Sequence, residues 1–550
     1  MRTIISGFVL LLVCLIVVPT WAQGYTVIPI TAPEFDPDST DSKVKGTVGQ
    51  AKIKIQTALR GNSPLTAEEK QLITRFFEEA YFRSWTQPNS ATKAGLKRVD
   101  FTKSFYGSTS SNIQARPFIN TLTLKWMSEY IKPKYHPVVR FNAMLLIGDL
   151  KSREYQIGKN DPEVPYSAAF PVIVAALKDK TQSDPVKVAA LLGLRKHCEL
   201  VPNRPANYTN GILDIAKEYI IADEPPAGRS ADAHLWMRQQ AINIVGVIRS
   251  GEKIGEFAGL LDNIITNEDL PLKIRCSAIT TKGKLVFDQN TVNQLNLMKE
   301  SANIGKVALE AVKADIEWFD TAMTQFEQDK LNPGGYGGEC SGYGGGYGAG
   351  DCGGYGADCG GCGDCDDFYG GGCGGYGEPD AKPKKVVRKI DPILNRIQLT
   401  FRRRMKYHLD AAKQGLVGTA AEAPSDPRNV QALQAGLMRY AKNPGEANAV
   451  KRLVDPMVAL LNEVDQQDTE EKVLLSEVQS KLEALTREVQ KLAAGPKGAT
   501  PRPAANPASG LPGGGPAALP GGTPAALPGG TPAALPGGTP AALPGGTPAP

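Results

Sequence analysis

The sequence predicts an all-α protein, and three observations carry that expectation. A six-residue pattern of apolar, basic, two variable positions, alanine and apolar occurs at residues 139–144, 186–191, 237–242 and 274–279. Its basic residues, Arg140, Lys187, Arg238 and Arg275, lie 47, 51 and 37 positions apart, in the range of helical-hairpin repeats and far from propeller-blade or leucine-rich periods. Around each copy, apolar residues recur at helical spacing between proline and capping signals. Together these features read as an α-solenoid, a stack of helix pairs that offers a surface and holds no chemistry of its own.

The N-terminus reads as an export signal. Arg2 precedes an apolar run over residues 4–18, and Thr20, Trp21 and Ala22 lead to a cleavage position before Gln23. The run is short for a bilayer span, so the expected product is exported to the periplasm, the cell envelope or the extracellular space. Residues 23–45, with Pro29, Pro33 and Pro37, are expected to be an extended tether. A formal charge of +5 over 550 residues gives no whole-chain case for nucleic acid, and four histidines leave few candidates for acid–base work.

The repeat domain is expected over 46–331. Thr66 and Glu69 have the spacing of a capping box, and Leu72, Ile73, Phe76, Phe77 and Ala80 follow on one helical face. Helix pairs are then expected at 118–131 with 137–150, 170–177 with 185–200, 212–221 with 231–248, and 254–265 with 270–285, before a long helix at 302–331. Asp184 is expected as the N-cap of its helix, with Pro185 in the first turn. The alanines Ala143, Ala190, Ala241 and Ala278 let a neighbouring helix approach. Gly148, Gly246 and Gly283 follow their alanines by five positions, where close packing is expected.

Over roughly residues 110–290 this pattern resembles HEAT-type helical repeats, whose second helix carries Asp-Pro, Val-Arg and such an alanine. Asp184, Pro185, Val186, Lys187 and Ala190 are the nearest match. The resemblance implies a solenoid that binds protein. Its departures are an irregular spacing, Gly193 two positions early in the second copy, and Thr281 and Lys282 on the apolar face of the fourth.

At 332 the composition changes. Residues 332–381 are rich in glycine and tyrosine and hold Cys340, Cys352, Cys359, Cys362, Cys365 and Cys373, six of the nine cysteines. So little aliphatic content builds no core, and a disordered linker is expected unless cysteine chemistry orders it. Cys359, Cys362 and Cys365 have the two-residue spacing of metal ligands, with Cys352 or Cys373 available as a fourth for zinc or an iron–sulfur cluster. In an exported protein disulfides among the six are the favoured reading, with metal and free thiols as the alternatives. Cys198 and Cys276, inside repeat helices, read as reduced core residues.

A basic block follows in the 382–495 segment. Arg388 and Lys389 precede Asp391-Pro392, and Arg396, Arg402, Arg403, Arg404 and Lys406 alternate with apolar residues at helical spacing after it. Such a helix either packs in a small bundle with a solvated basic face, or lies on an anionic membrane or nucleic acid. Leu475, Val478, Leu482, Leu485, Val489 and Leu492 form an a/d seam that either self-associates as a coiled coil or closes the local bundle. Residues 496–550 repeat Pro, Ala, Gly and Thr and are expected to be an extended tail.

No phosphate-loop, Ser-His-Asp or metalloprotease motif is present. The expectation is therefore a non-enzymatic scaffold that binds an unidentified protein. A metal or redox role for the cysteine tract, and a membrane or nucleic-acid role for the basic helix, stand as alternatives.

Overall fold

The computed structural model describes residues 24–107, 112, 114–155, 162–201, 205–331, 391–418, 436–465 and 471–494. The expected export signal, the six clustered cysteines, Arg388, Lys389 and the tail at 496–550 lie outside these residues.

Residues 24–32, which hold Pro29, are extended and lie along the helices, but the expected tether does not reach residue 45: Pro33–Phe35 form a helical turn and a helix begins at Ser42. The Thr26 N–H donates to the Lys134 carbonyl and the Thr31 N–H to the Glu79 carbonyl, each at 2.9 Å, and Ala32 is buried. Helix α1 (Ser42–Arg60) starts where the Asp41 carboxylate accepts the N–H groups of Lys43 and Val44. Helix α2 (Ala67–Phe76) has the expected capping box: Thr66 Oγ1 accepts the Glu69 N–H at 3.2 Å, and the Glu69 carboxylate accepts the Thr66 N–H at 2.8 Å.

Helix α2 runs on through a π segment (Phe77–Tyr81), and α3 (Ala94–Asp100) through another (Phe101–Tyr106). A π turn sets residues five apart in line, so Phe77 with Phe82 and Phe101 with Tyr106 all face inward. The result is a buried aromatic cluster, with Phe77 and Phe105 ring centres 4.9 Å apart and edge to face.

From here the helices come in antiparallel pairs: α4 (Ala115–Tyr130) with α5 (Pro137–Asp149), α6 (Ala169–Lys178) with α7 (Asp184–Leu200), α8 (Ala206–Ile221) with α9 (Ala231–Ile248), and α10 (Ile254–Thr266) with α11 (Leu272–Lys284). A two-stranded antiparallel ribbon, β1 (Lys151–Arg153) with β2 (Val164–Pro165), joins the first two pairs and had no sequence signal. The second helices, α5, α7, α9 and α11, pack side by side in a row and are buried over most of their surface. The cap of α7 differs from expectation: Ser183 occupies the N-cap, and Asp184 at the first helical position binds Arg229 through both carboxylate oxygens at 2.7 and 2.8 Å.

The glycines set the distance between these helices. A Cβ on Gly148 would lie 2.7 Å from the Gly193 Cα, and one on Gly246 would lie 2.8 Å from Thr281 Oγ1. Gly193 and Thr281 therefore hold one position, six residues after Lys187 and Arg275, and each receives a helix whose glycine or equivalent stands eight residues after its own basic residue. Gly193 is the partner of Gly148 and does not stand two positions out of place. Thr281 also donates to the Ile242 carbonyl at 3.1 Å, so it joins α11 to α9 where an apolar residue was expected.

After the short α12 (Gln289–Gln294), the long α13 (Leu297–Leu331) pairs with α14 (Pro392–Val417) across the Gly-rich segment. Their antiparallel register is fixed by Phe319 against Phe401 with ring centres 4.5 Å apart, and by Lys330 and Asp391 at 3.9 Å. α14 also joins the row of second helices, since a Cβ on Gly283 of α11 would lie 2.7 Å from the Gly415 Cα. The last pair, α15 (Pro444–Asp465) and α16 (Glu471–Ala493), packs on α13 and α14. Val478, Leu485, Val489 and Leu492 of the a/d seam are buried, and Leu475 and Leu482 are partly buried against the same core. The seam thus closes the local bundle. One apolar cluster runs from Ala32 to Leu492, so the helices on both sides of 332–390 share a core.

Candidate functional site

The repeated basic residues have a common structural task. The last turn of a helix leaves carbonyls without intrahelical partners. Arg238 of α9 donates to the Ile220 carbonyl near the end of α8 at 3.0 Å, and Arg275 of α11 to the Ile265 carbonyl near the end of α10 at 3.0 Å. Arg140 of α5 does the same at Ile131, the C-cap of α4, at 3.3 Å. Each arginine therefore caps the first helix of its own pair. Two of them also grip a carboxylate: Arg238 meets Asp223 at 3.0 Å and Arg275 meets Glu310 of α13 at 2.8 Å. Lys187 is half-buried, and burial holds its ammonium below its usual range. Ala143, Ala190, Ala241 and Ala278 are all fully buried.

The basic face of α14 divides in the same way. Arg402 donates to the Val464 carbonyl at 2.7 Å, Lys406 pairs with Asp465 at 2.8 Å, and Arg404 pairs with Asp315 at 2.9 Å while lying over the Trp318 ring. Arg396 and Arg403 are exposed. Three of the five described cations of the block from Arg396 to Lys406 thus join α14 to α13 and α15, which shrinks the face left for an anionic surface.

Two buried charge groups had no sequence signal. The Asp315 carboxylate, fully buried in α13, accepts from Arg404 and lies 2.7 Å from His408 Nδ1, both on α14. Lys282, expected to weaken the apolar face of α11, is fully buried and holds Asp262 of α10 and Glu300 of α13. One ammonium is shared by two carboxylates. Burial pushes the Glu300 carboxyl up to about 7, and Asp262 pushes in the same direction against the opposing pull of Lys282. These partners lie 18 to 93 residues away along the chain, so only an acidic residue on the inner face of a predicted helix could have hinted at them.

Cys198 and Cys276 are buried in α7 and α11, and burial pushes the Cys276 thiol up to about 12, which keeps it protonated and inert. Among the described residues no group of three or more His, Cys, Asp or Glu side chains is placed to hold a metal ion. No described helix is long and apolar enough to cross a membrane. Compared with known proteins, the chain matches no family model, no curated protein and no solved structure.

Proposed function

We propose that the chain is an exported, non-enzymatic scaffold of the cell envelope or extracellular space, built on HEAT-like helical repeats and binding a protein partner through the outer surface of its first helices. The observation that supports this most is the recurrent arginine cap, in which Arg140, Arg238 and Arg275 each close the preceding helix of their own pair. A contact that recurs in three of the four pairs, with Lys187 at the same position of the remaining one, is what a repeat architecture requires. The outer faces of α6, α8 and α10 are then free to vary, and neighbouring pairs are tied there by Lys217 with Glu256 at 2.8 Å and Lys253 with Asp214 at 2.5 Å. A continuous face of this kind recognises a partner by surface complementarity.

Crosslinking in the native cell followed by mass spectrometry identifies the partner, and a pull-down with the full-length chain checks the surface. Lys178, Glu218 and Asp269 are exposed on or beside three successive first helices. The combined variant Lys178→Glu, Glu218→Lys, Asp269→Lys is expected to keep its helical circular dichroism and lose the partner. Partner capture unchanged by the triple variant, or reproducible turnover by the purified chain, contradicts the proposal.

A further inference from the structure

At the N-terminal end of the helical array, α1 and α3 carry charge that no described contact uses. Helix α1 holds Lys43, Lys45, Lys52, Lys54 and Arg60 and no acidic residue, and residues 93–107 hold Asp100 as their one acid. The acids at hand are already engaged. Asp41 caps α1, and Asp100 binds Lys52 at 3.2 Å, which ties the two helices together where α1 packs on the π segment after α3. The side chains of Lys43, Lys45, Lys54, Lys93 and Lys103 are exposed and have no hydrogen-bond or ion-pair partner among the described residues.

Exposed aliphatic side chains stand among these charges. Ile53 on α1 is 66% exposed, and Leu96 and Val99 on α3 are 71% and 40% exposed. Among the described residues only Leu331 exposes a large apolar side chain more fully than Leu96 and Ile53 do. The helical period explains why the three share the outer side. Val48, Ala51, Ile55 and Leu59 form the buried stripe of α1, so Ile53 stands opposite the core; Ala94, Lys97 and Phe101 face inward from α3 and its π segment, which turns Leu96, Val99 and Lys103 outward. The Lys52–Asp100 pair lies on the seam between these two outer sides. A solvated helix face needs its lysines and has no use for protruding aliphatics, and a lone exposed aliphatic would be ordinary where a group flanked by unpaired cations is not.

We propose that the outer side of α1 and α3 docks on an anionic lipid surface, with Lys43, Lys45, Lys54, Lys93 and Lys103 at the headgroups and Ile53, Leu96 and Val99 entering the boundary between headgroups and acyl chains. Apolar side chains that enter and cations that flank them are the two components of interfacial binding. Other anionic partners suit this face less. Nucleic acid is held by guanidinium forks and by aromatic rings on which bases stack, whereas the unpaired cations here are all lysines and the exposed apolar residues all aliphatic. A second copy on the same face would set lysines against lysines. The surface is distinct from the basic block of α14 and from the outer sides of α6, α8 and α10.

The test is co-sedimentation of the full-length chain with vesicles of phosphatidylcholine alone and of equimolar phosphatidylcholine and phosphatidylglycerol. Binding is expected to the anionic vesicles only, and added salt should weaken it. The combined variant Lys43→Gln, Lys54→Gln, Lys103→Gln and the double variant Ile53→Ser, Leu96→Ser are each expected to weaken binding by about tenfold or more. All five side chains are exposed, so both variants should melt at the parent's temperature, which separates lost binding from misfolding. Arg396→Gln with Arg403→Gln, on the exposed side of α14, is expected to bind as the parent does. No binding to anionic vesicles, binding that survives either of the first two variants, or binding lost in the α14 variant overturns the proposal, and so does capture of duplex DNA in place of anionic vesicles.

Discussion

At Gly148 the backbones of α5 and α7 touch, and any side chain there must push a helix away. Gly148→Ala places a Cβ 2.7 Å from the Gly193 Cα, and backbone cannot rotate aside as a flexible side chain does. The variant is expected to lose about 1 to 3 kcal/mol in urea unfolding, the range of overpacked cores. Gly211 has open space at its Cβ position, so Gly211→Ala in α8 is the control and should be neutral or mildly stabilising. Glu300 gives a pH prediction. Its carboxyl is raised from 4.5 to about 7 in the folded chain, so the folded state binds the extra proton between those values. This group's contribution to stability is then fully present below about pH 4.5 and is lost as pH rises through 7. Glu300→Gln, which imitates the protonated form, should gain stability relative to the parent between pH 5 and pH 8. A difference between the two that stays constant with pH would show that the carboxyl titrates normally.

At the scale of the element, the helices depend on partners outside themselves for their ends. Arg275 joins α10 to α11 through the Ile265 carbonyl and α11 to α13 through Glu310. Removing it leaves a carbonyl and a carboxylate without their donor, and Arg275→Ala is expected to cost about 2 kcal/mol, the scale of hydrogen bonds to charged groups. Arg275→Lys should restore little of this, because a single ammonium cannot serve two acceptors set apart for a fork. The variants' denaturation midpoints at unchanged slope measure it. Helix α16 depends on α13 and α15 in a different way, through its apolar seam. Leu485 is fully buried, so Leu485→Ala in the full chain is expected to lose about 2 to 5 kcal/mol. The same loss measured at two protein concentrations tenfold apart marks the seam as internal, whereas a concentration-dependent midpoint would mark it as a contact between copies.

The whole molecule is organised by the return of the chain across residues 332–390. α14 completes the row of second helices through Gly283 and Gly415, and it buries Asp315 and Phe319 of α13. Residues 24–331 and 391–494 should therefore stay together when the covalent link is cut. A protease site inserted within 332–390 and cleaved in the purified chain is expected to leave both fragments co-eluting in gel filtration and separating only in denaturant. Fragments that separate in native buffer would mean that the shared core does not hold. For the same reason a fragment ending at Leu331 is expected to unfold at a lower temperature than the full chain, since it exposes the α14-facing sides of α11 and α13.

The sequence by itself determined where α2 begins and where the paired helices from α4 to α11 lie, but not α1 or α3. Helical periodicity, prolines in first turns and the Thr66–Glu69 box act over three or four residues, and a signal with that reach is legible in any short window. It also revealed the recurrence of Arg140, Arg238 and Arg275, although not that each arginine caps the helix before it. The tertiary structure decided everything that depends on contacts distant in sequence. Lys282 looked like a flaw in an apolar face because its two carboxylates are on other helices. Gly193 looked displaced because its position is defined by Gly148, and the a/d seam of α16 was ambiguous because its partners α13 and α15 lie before it in the chain. One clue to α14 was present: Ala412 and Gly415 repeat the spacing of Ala190 and Gly193. It carried no basic residue with it, and only the packing of Gly415 on Gly283 gave that spacing its meaning.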